Sequence, residues 1–433
     1  MPTAAFTTLG CKVNQYETQK ILEGFEALGF EIVPFEGPSD VYVVNTCSVT
    51  SDAERKSRYV IRRANRHNPN AKVVVTGCAA QMALNKSETM LGADLVVPNP
   101  VKETSATLFA RHFPDLLPPI HPVAEPTHAH NFAGRTRATL KLQDGCSVYC
   151  SYCSIPYTRP RMVSRPADEV LAEAKKLAQM GYLEIVLTGV LIGSFGPETG
   201  SGGPNFVSMV RQIAEESGIP RVRISSIEMQ QVSDELIDLI SDGLVVPHLH
   251  IPLQSGDTHV LRDMNRPYDQ DDYLRLCERI QQRVPGISLT TDIMVGFPTE
   301  DAPRFESSVE VCRRVGFLKA HVFSFSPRYG TAADAWGDPI PPEEKARRRE
   351  VLMTETKTTA ETHAQHSVGR TLRVLVEGKT RSDGVLEGLS DHYLTVRFVG
   401  PAALSRTLQW VRIDEVRNGV ALGERVGAPL GHR

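Results

Sequence analysis

The stretch Asp144–Pro156 reads DGCSVYCSYCSIP and sets Cys146, Cys150 and Cys153 in a C-x3-C-x2-C pattern. Three thiolates this close together can hold three irons of a 4Fe–4S cluster from one loop. The fourth iron is then left without a protein ligand and is open to a small molecule. A cluster with four cysteine ligands, by contrast, can only pass electrons. Structural zinc favours C-x2-C pairs and needs a fourth ligand, and no Cys or His lies close downstream. Ligand softness therefore favours iron and sulfur.

The 433 residues are enough for two or three domains, and a hydrophobic fraction of 41% is ordinary for a globular protein. A net charge of −3 excludes a global basic field, so any nucleic-acid binding must come from local patches. MPTAAFTTLGCKVN lacks a basic segment followed by an apolar core, so no signal peptide is expected. No apolar run is long enough to span a membrane. The expectation is a cytoplasmic protein whose eight cysteines serve metal or redox chemistry rather than disulfides.

Residues 1–112 alternate strand and helix. Strands are expected at Ala4–Thr8, Val41–Asn45, Lys72–Thr76 and Asp94–Val97, with helices at Glu17–Leu28 and Ala53–Asn65. The fold class is α/β, beginning with a doubly wound parallel sheet. Cys11, Cys47 and Cys78 each follow a strand, and such strand ends share one edge of a parallel sheet. They either form a second three-cysteine cluster site or are three small buried hydrophobes. Arg55, Arg58 or Tyr59, Arg62 and Arg66 share a helix face, which is either a solvated surface or a track for an RNA backbone.

Residues 113–133 read as a Pro- and His-rich linker, with His121, His128 and His130 solvated rather than metal-bound. From 134 to 366 the alternation resumes with longer helices. Six strands are expected, at Ala138–Gln143, Glu184–Thr188, Arg221–Ser226, His248–Leu253, Ser288–Met294 and Ala320–Phe325. That is too few for a closed eight-stranded barrel and suits a partial one, with chemistry at the carboxyl ends of the strands. Polar or glycine positions there are Gly189, Ser226, Glu228, Gln254, Asp292 and Gly296. Cys277, Cys312, His248 and His250 read as packing residues. Residues 367–433 turn to five short β runs after a long polar helix, which suggests a small OB-like barrel.

Asp144–Pro156 resembles the signature of the radical S-adenosylmethionine (SAM) enzymes. TLGCKVNQYET, NTCSVT and VTGCAAQ narrow this, because they resemble the N-terminal domain of the radical-SAM methylthiotransferases. The resemblance implies that Cys146, Cys150 and Cys153 hold a 4Fe–4S cluster whose open iron binds SAM. It places Tyr152 beside the adenine and assigns SAM contacts to the six strand-end positions. It implies that Cys11, Cys47 and Cys78 hold an auxiliary 4Fe–4S cluster that carries or donates sulfur. One SAM would methylate a sulfur there, and a second would yield the radical that attacks an unactivated C–H bond. No catalytic side chain is implied beyond the cluster ligands. The partial six-stranded barrel is part of the same resemblance. The C-terminal barrel resembles the TRAM domain, an RNA-binding module. Where the family often has Pro after SSxE, this chain has Met229–Gln230.

Lys-Val-Asn-Gln after Cys11 resembles the subgroup acting on N6-threonylcarbamoyladenosine beside the tRNA anticodon. The isopentenyl-adenosine subgroup more often carries Gln-Met-Asn, and the ribosomal-protein subgroup Pro-Lys-Asn. The implied activity is methylthiolation at C2 of N6-threonylcarbamoyladenosine. Isopentenyl-adenosine in tRNA or a ribosomal-protein aspartate is the alternative substrate. A nonenzymatic RNA-binding iron–sulfur carrier is the rival of another class. Implied partners are the tRNA anticodon stem-loop, an electron donor such as flavodoxin or ferredoxin, and a sulfur donor, with no membrane. Arg159, Arg161 and Arg165 are candidate partners for the threonylcarbamoyl carboxylate, or else for phosphates and solvent.

Overall fold

The computed structural model describes residues 1–118, 135–378 and 384–428. His121, His128 and His130 lie outside the described residues, as does most of the expected linker.

The N-terminal layer is a parallel sheet of β1 (Thr3–Thr8), β2 (Glu31–Val33), β3 (Val41–Thr46), β4 (Lys72–Gly77) and β5 (Leu95–Val96) in the order β2-β1-β3-β4-β5. VYVVNT of β3 is buried along its whole length, because helices cover both faces. Ile21 and Phe25 of α1 (Lys12–Ala27) pack on one face with Phe109. Ile61 and Ala64 of α2 (Ser51–His67) and Ala80 of α3 (Cys78–Asn85) pack on the other. The Thr50 hydroxyl caps α2 by accepting from Ala53 N at 3.1 Å. Phe109 belongs to α4 (Ser105–His112), which closes the layer. The edge strand β2 has no sequence signature beyond EIV, too short to show alternation.

The second body opens with β6 (Ala138–Lys141). A two-residue antiparallel pair, β7 (Gln143–Asp144) and β8 (Val163–Ser164), then brackets the cysteine loop and its short helix α5 (Ile155–Thr158). Helix α6 (Ala167–Gln179) leads to β9 (Ile185–Thr188), and α7 (Phe206–Glu216) to β10 (Val222–Ile224). Next come α8 (Asp234–Ser241) and β11 (His248–His250), then α9 (Thr258–Asp263), α10 (Gln270–Arg283) and β12 (Ser288–Val295). Helix α11 (Ala302–Val315), β13 (Lys319–Ser324) and the long α12 (Pro342–Gln365) complete it. The sheets β10-β9-β6 and β11-β12-β13 are joined by a parallel bridge between Ser226 and His250. The result is an arc of six parallel strands in chain order, all six where the sequence placed them. No pairing among the described residues joins β6 to β13, so the barrel is partial. Cys277 and Cys312 are buried in its core, as expected.

The chain ends in a closed barrel of β14 (Thr371–Val376), β15 (Val385–Ser390), β16 (Thr395–Val399), β17 (Leu408–Arg417) and β18 (Val420–Val426), ordered β14-β15-β16-β18-β17. Its one parallel pair is β16 with β18, a Greek-key closure of OB type. This barrel docks on the strand-start end of the arc. Arg221, just before β10, reaches Glu184 at 2.7 Å and Asp391 at 3.0 Å. Arg223 donates to the carbonyls of Ser390 and Asp391 at 3.2 Å, and Tyr393 stacks on His248 at 4.1 Å between ring centroids. The opposite, carboxyl end of the arc is left for the chemistry.

Candidate active site

The cysteine loop leaves β7 through Gly145 at φ +82°, where a Cβ would overlap the carbonyl oxygen of Arg161. Only glycine fits that approach. Beyond it, Cys146, Cys150 and Cys153 line a cavity of about 380 Å³ together with Tyr152, Gln254 and Arg266. Among the described residues, no histidine and no fourth cysteine lines it. Val148 N donates to Cys146 Sγ at 3.5 Å, and Arg266 Nη1 donates to Cys150 Sγ at 3.2 Å. Burial, then the neighbouring Cys150, pushes the Cys153 thiol up to about 12. Burial likewise raises Cys146. Thiols in this state become thiolates when a metal binds them. Three soft donors, hydrogen-bond donors aimed at two of the sulfurs and no fourth ligand fit a cluster with one open iron.

Cys11 caps the start of α1, Cys47 follows β3, and Cys78 opens α3 from the end of β4. The three strand ends do converge. Gly10, at φ +93°, leaves room for Cys47, whose Sγ lies 2.7 Å from where a Cβ would stand. Burial raises the Cys47 thiol to about 11, with Cys78 and Cys11 adding to the shift. Cys47 and Cys78 are buried while Cys11 is exposed, so the triad opens on one side. Val49 and Thr50, just after Cys47, form part of the wall of the Cys146–Cys153 cavity. Cys11, Cys47 and Cys78 do not line that cavity themselves; the second triad adjoins it through this loop.

A buried ionic network holds the two bodies that carry the triads in register. Glu17 of α1 bonds Lys141 Nζ at 2.7 Å, Arg159 at 2.8 and 3.0 Å, and also Lys102. Asn14 Oδ1 accepts from Arg159 at 2.8 Å, and Asp144 accepts from Lys141 at 2.9 Å. Burial alone would raise the Glu17 carboxyl, but Lys102, Arg159 and Lys141 together hold it well below the usual carboxylate range. Asn99 ties the same seam to Cys78, with Nδ2 at 3.8 Å from Sγ and 2.8 Å from Thr158 O. Sequence reasoning missed this network. Its signal was a row of charged and amide residues flanking both triads, which spacing alone could not pair across domains.

The network corrects one expectation. Arg159 is spent on Glu17 and Asp144, and Arg165 on Glu173 at 2.6 Å. Neither is available to a substrate carboxylate; only Arg161 remains exposed. Among the expected SAM contacts, Tyr152, Glu228, Gln254 and Asp292 line the cysteine cavity, and Gly189 adjoins its wall residue Val190. Gln254 sits at φ +67° with its buried Oε1 lacking any hydrogen-bond partner, which suits a ligand donor. Ser226 instead faces a different cavity. Gly296, at φ +73°, packs against the Lys345 side chain of α12, so its role is close packing and not ligand approach.

Arg266 was not singled out from sequence. Its guanidinium bonds Cys150, Glu228 and the Tyr268 hydroxyl, the last at 3.0 Å. Hydrogen bonds to cluster sulfurs favour the reduced state. Replacing Arg266 by Gln is expected to make the reduction potential of the Cys146–Cys153 cluster more negative. A potentiometric titration followed by electron paramagnetic resonance measures it, and an unchanged potential counts against the role.

The other cavity, about 970 Å³, lies on the inner face of the arc between α1 and the C-terminal barrel. Lys12, Gln15, Arg135, Asp292, His321 and Glu377 lie on its wall, and Asp292 belongs to both cavities. His248 is buried and stacked on Tyr393, as expected of a packing residue, yet it lines this cavity together with His250, which bonds Asp292 at 3.2 Å. On α2, Arg55 pairs with Asp52 at 2.8 Å and Arg58 with Glu54 at 2.7 Å, so much of that basic face is locally neutralised.

Comparison with known proteins agrees with this geometry. Residues 3–98 match the uncharacterized protein family UPF0004, and residues 140–312 match the radical SAM superfamily. The threonylcarbamoyladenosine tRNA methylthiotransferase MtaB of Bacillus subtilis is 36% identical over 413 residues, 92% of this chain and 91% of that protein. The chain belongs to the radical-SAM methylthiotransferase family. MtaB of Thermotoga maritima is 34% identical over 92% of both chains. The tRNA-2-methylthio-N(6)-dimethylallyladenosine synthase of Staphylococcus aureus is 31% identical over 96% of this chain and 83% of its own. The solved structure of the radical SAM methyltransferase TsrM from Kitasatospora setae, with tryptophan and a SAM analogue bound, shares the methylthiotransferase's fold. It matches with a TM-score of 0.57 at 15% identity over 77% of this chain and 75% of its own.

Proposed function

We propose that this methylthiotransferase adds a methylthio group to C2 of N6-threonylcarbamoyladenosine next to the anticodon of tRNA. The observation that carries the chemistry is a cysteine triad lining a cavity whose wall also includes the loop that follows Cys47 of a second triad. The substrate rests on the relatives, since those named for threonylcarbamoyladenosine are 32–36% identical and those named for the dimethylallyl base 31%.

Cys146, Cys150 and Cys153 would hold one 4Fe–4S cluster, and Cys11, Cys47 and Cys78 the other. Bound clusters and SAM supply the radical, the sulfur and the methyl group. Tyr152, Glu228, Gln254 and Asp292 would hold SAM against the open position. Val148, Ile155, Met294 and Phe325 on the same wall keep water from the reacting space. The adenine C2–H bond has no acidic proton, so no general base is required. The Glu17 network would hold the bodies that carry the two triads in register.

Residues 1–112 are assigned to the auxiliary-cluster domain, 113–133 to a linker, 134–366 to the radical SAM domain and 367–433 to a TRAM RNA-binding domain. An anticodon loop suits such a site, because its bases can be splayed out and inserted. A cytoplasmic setting follows from the tRNA substrate, with a flavodoxin or ferredoxin as electron donor and a separate sulfur donor. No helix among the described residues is long and apolar enough to cross a membrane. Purified, reconstituted enzyme offered tRNA bearing either modified adenosine should thiomethylate the threonylcarbamoyl form preferentially. Preference for the isopentenyl form would overturn the substrate while leaving the radical chemistry intact.

A further inference from the structure

Lys12 projects from the first turn of α1 into the larger cavity and makes no hydrogen bond or ion pair with any described residue. Arg135 enters beside it and donates to the Gln15 side chain, one helical turn along from Lys12. Neither cation has a carboxylate within ion-pair reach among the described residues. Arg137 and Arg223, on the same wall, are committed to Glu377 and Glu184. The acids are committed too: Glu377 to Arg137, Glu387 to Arg397 at 2.7 Å, and Asp292 to His250. Two positive charges are thus left facing an open cavity with no ion-pair partner among the described residues. That space, about 970 Å³, is at the upper end of the ~300–1,000 Å³ typical of small-ligand sites.

We infer that Lys12 and Arg135 form a carboxylate-binding site that receives the acid of the N6-threonylcarbamoyl substituent, an inference that rests on the substrate proposed above. The position fits the chemistry. Lys12 directly follows Cys11, and Asp292 is shared with the cavity of the other triad, so a carboxylate held here sits beside both. The Ser226 hydroxyl on the same wall offers a partner for the threonine hydroxyl, whereas those of Thr136 and Thr290 are bonded to Glu377 and to His248 and His250. An isopentenyl group carries no anion and would leave both cations uncompensated, which is how a polar site rejects an apolar analogue. The site takes the place of Arg159 and Arg165, which the buried network consumes.

An RNA phosphate is the other anion these cations could meet, and one experiment separates the two. Holoenzyme is titrated with three anticodon stem-loops that differ only at the target base: threonylcarbamoyl adenosine, its threonine-amide analogue, and unmodified adenosine. Wild type should bind the acid roughly 10- to 100-fold more tightly than the amide, the range of hydrogen bonds to charged groups. Lys12→Met should abolish that preference, Arg135→Gln should reduce it, and Lys12→Arg should restore part of it. Equal weakening of acid and amide by Lys12→Met would make the contact a phosphate and overturn the inference. So would wild type that does not distinguish acid from amide, or a Lys12→Met and Arg135→Gln pair that keeps the full preference. Failure to bind either modified loop better than the unmodified one would instead overturn the substrate itself.

Discussion

Replacing Cys146, Cys150 and Cys153 together by alanine should abolish SAM cleavage and remove about half of the iron from anaerobically reconstituted protein. The unaltered chain should bind about eight irons if both clusters are 4Fe–4S. The loss would be total for SAM, because the open iron held by these three cysteines would be its binding position. Replacing Cys11, Cys47 and Cys78 should also remove about half of the iron, but leave SAM cleavage in place and stop methylthiolation. The asymmetry follows from the structure. Only the first triad shares a cavity wall with Glu228 and Gln254, whereas the second contributes the neighbouring loop of Val49 and Thr50. Equal iron in all three proteins would remove the two-cluster assignment.

The second large effect concerns the seam between the two bodies. Glu17→Gln keeps the shape of the side chain but leaves Lys102, Lys141 and Arg159 with half-buried Asp144 and exposed Glu103 as the ion-pair partners among the described residues. Breaking a buried ion network by removing one partner costs about 3–5 kcal/mol. That corresponds to a fall in Tm on the order of 10 °C for a body of this size. Glu17 and Asp144 are both held below their ordinary values, Glu17 well below. The stability they confer is therefore fully present above the unfolded carboxylate range near pH 4. It is lost as pH falls through their depressed folded values. Thermal unfolding followed by circular dichroism across that range should show wild type losing stability in acid more steeply than Glu17→Gln. Parallel curves would mean that Glu17 is not ionised in the folded protein. Because the seam also sets the spacing of the triads, the variant should lose methylthiolation more than SAM cleavage.

The parts of this molecule that sequence disclosed are those with local periodicity or spacing. Six β runs separated by helical patterns placed the strands of the arc, its partial-barrel form coming from the family resemblance, and C-x3-C-x2-C marked the first triad. Cys11, Cys47 and Cys78 could be grouped because a parallel sheet brings strand ends to one edge. What stayed hidden depends on contacts between distant segments. Glu17 and Arg159 are 142 positions apart, and nothing local marks them as partners. Arg266 carries no motif of its own; it matters because the turn after α9 brings its guanidinium beside Cys150. Ser226 and Gly296 were misplaced for the same reason, since a position after a strand does not say which cavity it faces or which helix fills the space beside it. The short strand β2 escaped because three residues cannot display alternation.

Mass analysis of tRNA nucleosides from cells with and without this protein tests the central claim most directly. Cells lacking it should accumulate N6-threonylcarbamoyladenosine without the 2-methylthio group. The wild-type chain should restore that group, and the Cys146→Ala chain should not. Persistence of the methylthiolated threonylcarbamoyl nucleoside in its absence, or loss of the methylthio group from isopentenyl-adenosine instead, would contradict the account.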